Sequence, residues 1–161
     1  MRYKIVPPVR DVAFLEAVRD ALPRVPNSVE DCCSRIRDRT DVPSRDLARE
    51  YLTFAEALGF AAETDGAYYQ AQNSGRDDLA ARFENHVFGA SEVLDNLDET
   101  AGKDLDTVFA EIEPLVPRWE RHKDTDWKAT WRERTERLCE WAVVFDLAEH
   151  TDDGYRATNQ H

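Results

Sequence analysis

The feature that most constrains this chain is a pattern met twice: an amphipathic helix running directly into two short strands closed by an acidic turn. In the first copy Leu47, Tyr51, Phe54 and Leu58 recur every three to four residues. That spacing puts them on one helical face, with Ser44 placed to cap the helix and Gly59 to stop it. Phe60-Ala61-Ala62-Glu63-Thr64-Asp65-Gly66-Ala67-Tyr68-Tyr69 follows. Asp-Gly between two short segments is a hairpin signal, because a tight two-residue turn needs positive φ. Near the other end Trp127, Trp131, Leu138, Trp141 and Phe145 mark a helix, and Leu147 to Tyr155 supplies a second acidic turn ahead of Gly154. An offset of 87 residues lays Phe54 on Trp141, Ala55 on Ala142, Leu58 on Phe145 and Phe60 on Leu147, with one extra Asp before Gly154. Arg45 meets Arg132, but Leu47 meets Arg134, so the match argues for repeated architecture more than recent duplication.

The remaining elements fill in around these. Tyr3-Lys4-Ile5-Val6 alternates weakly and predicts a short strand stopped by Pro7-Pro8. Phe14, Leu15, Val18 and Leu22 stripe a first helix; Val29, Cys32, Cys33 and Ile36 stripe a second, for which Ser28 and Asp31 resemble a capping box. Gln72-Asn73-Ser74-Gly75-Arg76 is small, polar and aperiodic, which predicts a linker. Beyond it Leu79, Phe83, Val87, Ala90, Leu94 and Leu97 predict one long helix ending near Gly102. Leu105, Val108, Phe109 and Ile112 predict another, disturbed by Pro114 and Pro117.

Three helices followed by a hairpin, twice over, predict a mainly α chain with small β-hairpins, an α+β fold. The layout resembles tandem winged helix-turn-helix proteins of archaeal type. The implied organisation is one winged helix domain over residues 1–71, a linker over 72–76 and a second domain over 77–161. More faintly, the element order is similar to an archaeal domain appended to certain transporter-like ATPases, though no ATPase motif is present.

Charge adds a second constraint. The 161 residues carry 33 acidic and 21 basic side chains, a formal net charge of −12. Asp outnumbers Glu by 18 to 15, Arg outnumbers Lys by 17 to 4, and Ile occurs three times. This composition resembles cytosolic proteins of salt-accumulating halophilic archaea. Hydrated carboxylates keep a protein dispersed in concentrated salt, where the Debye length is only about 3 Å. No apolar run approaches the roughly 20 residues that span a bilayer, and no secretory leader is evident. Cys32, Cys33 and Cys139 are odd in number and fall within helical patterns, which points to a reducing cytoplasm.

Motifs for catalysis are missing. The chain lacks GxGxxG, a Walker-type loop, GxSxG, HExxH and CxxC, so no enzyme activity, cofactor or metal site is expected. What the winged-helix resemblance implies instead is a third helix entering the DNA major groove. The residues carried over are Ser44, Arg45, Arg49 and Thr53 on that helix, Arg35, Arg37 and Arg39 before it, and Lys128 and Arg132 in the second half. Thr64 and Tyr68 would be the wing contacts, although Glu63 and Asp65 make this wing acidic where a DNA-reading wing carries Lys or Arg.

Two readings follow. One is a cytoplasmic DNA-binding transcription regulator, alone or as a homodimer, on double-stranded DNA. Its support is that acidity concentrates between residues 51 and 117 and spares both third-helix regions. The other is a protein-docking scaffold. Molar salt weakens phosphate-driven binding, and Trp119, Trp127 and Trp131, interleaved with basic residues, are either core or contact surface.

Overall fold

The computed structural model describes residues 3–72 and 75–158, and its chain divides into two compact units, Met1–Phe88 and Gly89–His161. In the first unit α1 (Val12–Ala21), α2 (Val29–Arg39) and α3 (Arg45–Ala57) precede the hairpin β1 (Ala61–Thr64) and β2 (Ala67–Gln70), and α4 (Leu79–His86) closes it. The cap signals at Ser28 and Ser44 operate as read, accepting from the backbone N–H groups of Asp31 and Leu47, and Asp11 caps α1 in the same way by accepting from Phe14. Each satisfies a donor that the first helical turn leaves open. The expected stripes form the core, where Leu15, Val18, Cys32, Cys33, Ile36, Tyr51, Phe54 and Phe60 are all buried. Asp65 and Gly66 sit at φ 51 and 82, the doubly positive geometry that matches hairpin twist.

Three expectations are corrected here. The N-terminal segment makes no strand. Among the described residues, Tyr3 forms a single parallel bridge to Val87, donating to the His86 carbonyl at 2.5 Å and accepting from Phe88 at 2.8 Å; Arg2 lies outside the described residues. That bridge also breaks the long helix expected from residue 79 to Gly102, because Val87 turns extended to receive it. The helix ends at His86, and α5 (Ala90–Asp95) starts afresh with Ala90, Val93 and Leu97 buried in place of Leu94.

The third correction follows from the second. The division between units falls after Phe88 instead of in the polar stretch 72–76. α4 buries Leu79, Phe83 and Val87 within the first unit, and the Arg82 guanidinium donates to the Glu56 carbonyl at the end of α3. Arg76 donates to Glu16 of α1 at 2.9 Å. Asn73 and Ser74 lie outside the described residues.

In the second unit α5 leads to α6 (Leu105–Ile112), a 3-10 turn (Glu113–Leu115), α7 (Arg118–Lys123), α8 (Trp127–Val144) and the hairpin β3 (Ala148–Thr151) and β4 (Gly154–Ala157). Val93, Val108, Ile112, Trp131, Leu138, Trp141 and Ala142 make its core. The 87-residue offset holds through the hairpins: Ala61 pairs with Gln70 and Ala148 with Ala157. The second turn therefore contains no extra residue. Asp152 and Asp153 occupy the two turn positions, and Gly154 is the first residue of β4. Its φ of +141 and the place where a Cβ would stand, 2.1 Å from the Lys103 carbonyl oxygen, explain the glycine.

The offset differs on the other side of the core. A single residue ahead of the second helix bridges the middle of the hairpin's outer strand in each unit, Asn27 to Tyr68 and Lys103 to Tyr155. Asn27 and Lys103 are 76 residues apart, as are the helix starts Val29 and Leu105. The second unit thus carries 11 additional residues between its second helix and its hairpin, and they make α7 and the extra turns at the start of α8.

The left-handed position after the third helix is filled differently in the two units, by Gly59 at φ 83 and by Asp146 at φ 61. An L-residue pays sterically there. Asp146→Gly is expected to raise the stability of the second unit by about 0.5–1 kcal/mol, read as a small upward shift in thermal midpoint; an unchanged or lowered midpoint would show that Asp146 is not strained.

Candidate functional site

The residues proposed to meet DNA divide by how they are held. Arg45, the first residue of α3, donates from Nε to Glu30 at 2.8 and 3.0 Å and from its terminal nitrogen to the same carboxylate. It also lies 3.5 Å from Asp46. The Arg45 hydrogen bonds hold the Glu30 carboxyl below the usual carboxylate range. Arg132 in the second unit donates to Asp106 at 2.7 and 3.1 Å. Glu30 and Asp106 are each the second residue of their unit's second helix. The same arginine-to-carboxylate pair is therefore built into both units.

The other predicted residues are spread more widely. Ser44 spends its hydroxyl as the α3 cap. Arg35 is held by Asp31 one helical turn earlier, at 2.8 Å, while Arg37 and Arg39 are exposed on α2 itself. Thr53 is half-buried, and Lys128 lies 3.3 Å from Glu113. Arg49 is exposed and, among the described residues, forms no hydrogen bond or ion pair. At the wing, Glu63 accepts from the Gly66 N–H at 2.6 Å, so its carboxylate stabilises the turn. Tyr68 is half-buried and engaged by Asn27 through both backbone groups.

These contacts set the electrostatics of the third-helix face. α3 carries Arg45 and Arg49 against Asp46, Glu50 and Glu56, and the wing adds Glu63 and Asp65. The Asp46 side chain is 93% exposed. Sparing this region from net acidity does not make it basic. An exposed ion pair such as Arg45–Glu30 is screened by solvent and contributes little to stability, so a ligand can dissolve it. Dissolving it, however, leaves Glu30 beside any phosphate that Arg45 meets.

The three tryptophans separate clearly. Trp131 is buried. Trp127 is half-buried, with the Arg121 guanidinium 4.6 Å from its ring centroid. Trp119, in the residues that the second unit adds, is 58% exposed, and Leu115, just ahead of them, is 54% exposed. Around them Arg118, His122 and Lys123 are exposed, whereas Glu120, the one acid of α7, is buried. Sequence reasoning grouped Trp119 with Trp127. Only the 11-residue displacement of α8, visible once hairpins and second helices are aligned separately, marks α7 as an addition to the repeat.

Among the described residues no group of three or more His, Cys, Asp and Glu side chains is placed to hold a metal ion. Cys32, Cys33 and Cys139 are buried thiols; burial pushes Cys32 up to about 11 and Cys139 up to about 12, which makes them poor nucleophiles. Among the described residues no helix is long and apolar enough to cross a membrane.

Three helices, a single bridging residue ahead of the second helix, and a two-stranded wing after the third define each unit as a winged helix. The whole chain, residues 1–161, matches the family model of the halobacterial double winged helix domain, and the chain belongs to that family. No curated protein and no solved structure matches it. Winged helix domains are typically non-enzymatic and in general suggest a DNA-binding or regulatory role, with nucleic acid or protein as partner.

The halobacterial family fits the acidic composition. At a net charge of −12, self-repulsion is screened over about 3 Å in molar salt and over about 30 Å at 0.01 M. The thermal midpoint is expected to fall as KCl is removed, in a melting series. A midpoint independent of salt would show that the carboxylates do not burden the fold.

Proposed function

We propose that this protein is a non-catalytic regulatory module of the cytoplasm that docks an acidic protein partner through the added segment of its second winged helix. The observation that carries the reading is the exposure of Trp119 and Leu115 amid Arg118, His122 and Lys123. A large exposed aromatic within a basic rim is the composition of a binding hot spot. In molar salt the apolar anchor keeps its strength, because salts strengthen effective burial while they screen charge. The basic rim then supplies orientation toward an acidic surface at short range.

The test places a photo-crosslinking side chain at position 119 and, in a separate variant, at position 49, in native extract at about 2 M KCl. The expected result is one protein adduct from position 119, and retention of that partner weakened by about 30-fold or more in Trp119→Ala. DNA adducts from position 49 with no protein adduct from position 119 would overturn the reading.

Those adducts would support the second reading, major-groove recognition by α3, which is favoured by Arg49 alone being exposed without a carboxylate partner on that helix. It predicts that Arg45→Ala with Arg49→Ala abolishes sequence-selective retention of genomic fragments. Retention unchanged in the double variant would count against it.

A further inference from the structure

A cleft of about 330 Å³ in the first unit is lined by Asp20, Leu22, Pro23, Arg24, Arg35, Arg39 and Gln70. It draws on the end of α1, the turn after it, one face of α2 and the end of β2. Neither α3 nor the wing turn contributes. Its lining is mostly polar: Leu22 and Pro23 are buried, while three guanidinium groups and the Gln70 amide supply donors.

The charge balance in this cleft is unusual for the chain. Asp20, the one carboxylate in the lining, is engaged by Arg19 at 3.0 Å. Arg35 uses Nε on Asp31. Arg24 and Arg39 are exposed and, among the described residues, form no hydrogen bond or ion pair. In a protein with 33 acidic side chains, two neighbouring guanidiniums without a carboxylate point to an anion supplied from outside.

The second unit provides an internal control, because backbone pairing fixes which positions correspond. Gln70 donates its N–H to the Pro23 carbonyl at 2.7 Å, and Ala157 donates to that of Asp98 at 2.8 Å. Hence Arg24 corresponds to Glu99 and Gln70 to Ala157. The offset of the second helices sets Arg35 against Glu111 and Arg39 against Leu115. Glu111 is paired there with Lys103 at 2.9 Å. The same fold without the arginines carries acid and aliphatic side chains, so the basic cleft is a property of the first unit and not of the winged helix.

From this we infer that the cleft binds the phosphate group of a small organic phosphate. Guanidinium forks match phosphate oxygens bidentately, and such charge-assisted bonds survive salt better than long-range attraction does. The volume lies at the small end of the range for small-molecule sites.

The experiment is a backbone and side-chain NMR titration of the whole protein at about 2 M KCl, using inorganic phosphate, a nucleoside monophosphate, sulfate and a short DNA duplex as separate probes. Saturable shifts confined to Arg24, Arg35, Arg39 and Gln70 are expected with the nucleoside monophosphate. Arg24→Ala with Arg39→Ala, both at exposed positions, should weaken binding about tenfold or more while leaving the remaining spectrum unchanged. Non-saturating shifts, equal affinity in the double variant, or sulfate matching the monophosphate would each overturn the assignment. Saturation by duplex DNA but not by the mononucleotide would overturn it too, by making the cleft a backbone-phosphate contact.

Discussion

Trp141→Ala is expected to cost the second unit about 3–5 kcal/mol, a large part of the 5–15 kcal/mol typical of a whole domain. The Trp141 ring is wholly buried and stacks on Phe145 with centroids 5.7 Å apart and planes 16° from parallel. Removing it deletes one of the two tryptophans of that core and leaves a cavity that α8 and the hairpin can only partly close. Phe54, at the equivalent position of α3, is likewise wholly buried, so Phe54→Ala should weaken the first unit comparably. Denaturant unfolding at high salt, with amide exchange assigned by residue, separates the two. Trp141→Ala should strip protection from α8, β3 and β4, and Phe54→Ala from α3, β1 and β2. A loss below about 1 kcal/mol for Trp141→Ala would mean that the site collapses around the deletion.

The second large effect is expected at a position that looks innocuous. Gly154→Ala puts a Cβ 2.1 Å from the Lys103 carbonyl oxygen and 2.6 Å from its carbon, at φ +141. That carbonyl accepts the Tyr155 N–H at 2.8 Å, and Lys103 donates in return to the Tyr155 carbonyl at the same distance. The added methyl group therefore collides with backbone that the bridge holds in place. We expect a loss of about 2–4 kcal/mol and a fall in thermal midpoint of about 8 °C or more. The counterpart position in the first unit is already Ala67, which makes Ala67→Gly the matched control, with a cost of about 1 kcal/mol or less. A midpoint shifted by less than about 2 °C in Gly154→Ala would show that the bridge yields easily.

Both predictions use the repeat, and the repeat was only half visible in the chain. The 87-residue match of Phe54 to Trp141 and Phe60 to Leu147 was readable because hairpins have a fixed register and large apolar side chains mark the helix before them. Reading an extra Asp before Gly154 came from aligning the glycines by type. Gly66 is a turn glycine and Gly154 a clearance glycine, and nothing local distinguishes them. The second, 76-residue offset was hidden because α2 and α6 share little beyond their caps and stripes.

The candidate interface was legible as residue types and illegible as partnerships. Arg45 and Arg132 were picked out together, yet Glu30 and Asp106 lie 15 and 26 residues from them. No spacing rule connects residues on two different helices. Trp131 and Trp119 were equivalent in composition; one is core and the other surface because α7 stands outside the repeated scaffold. The arginine cleft was missed for the same reason, since Arg24, Arg35, Arg39 and Gln70 converge from three elements.

What the sequence by itself determined were the helices, their caps, the two hairpins, the tandem plan and the acidic, halobacterial character. These depend on local spacing, turn chemistry and composition, which a linear chain displays directly. The tertiary structure alone decided that α4 belongs with the first unit, that the long apolar stripe is cut at Val87, and which charged side chains neutralise one another. Those outcomes depend on contacts between residues far apart in the chain: Tyr3 reaching Val87, Arg76 reaching Glu16, Lys103 pressing on Gly154. Periodicity reports that a residue has a buried face, but only packing decides which core buries it.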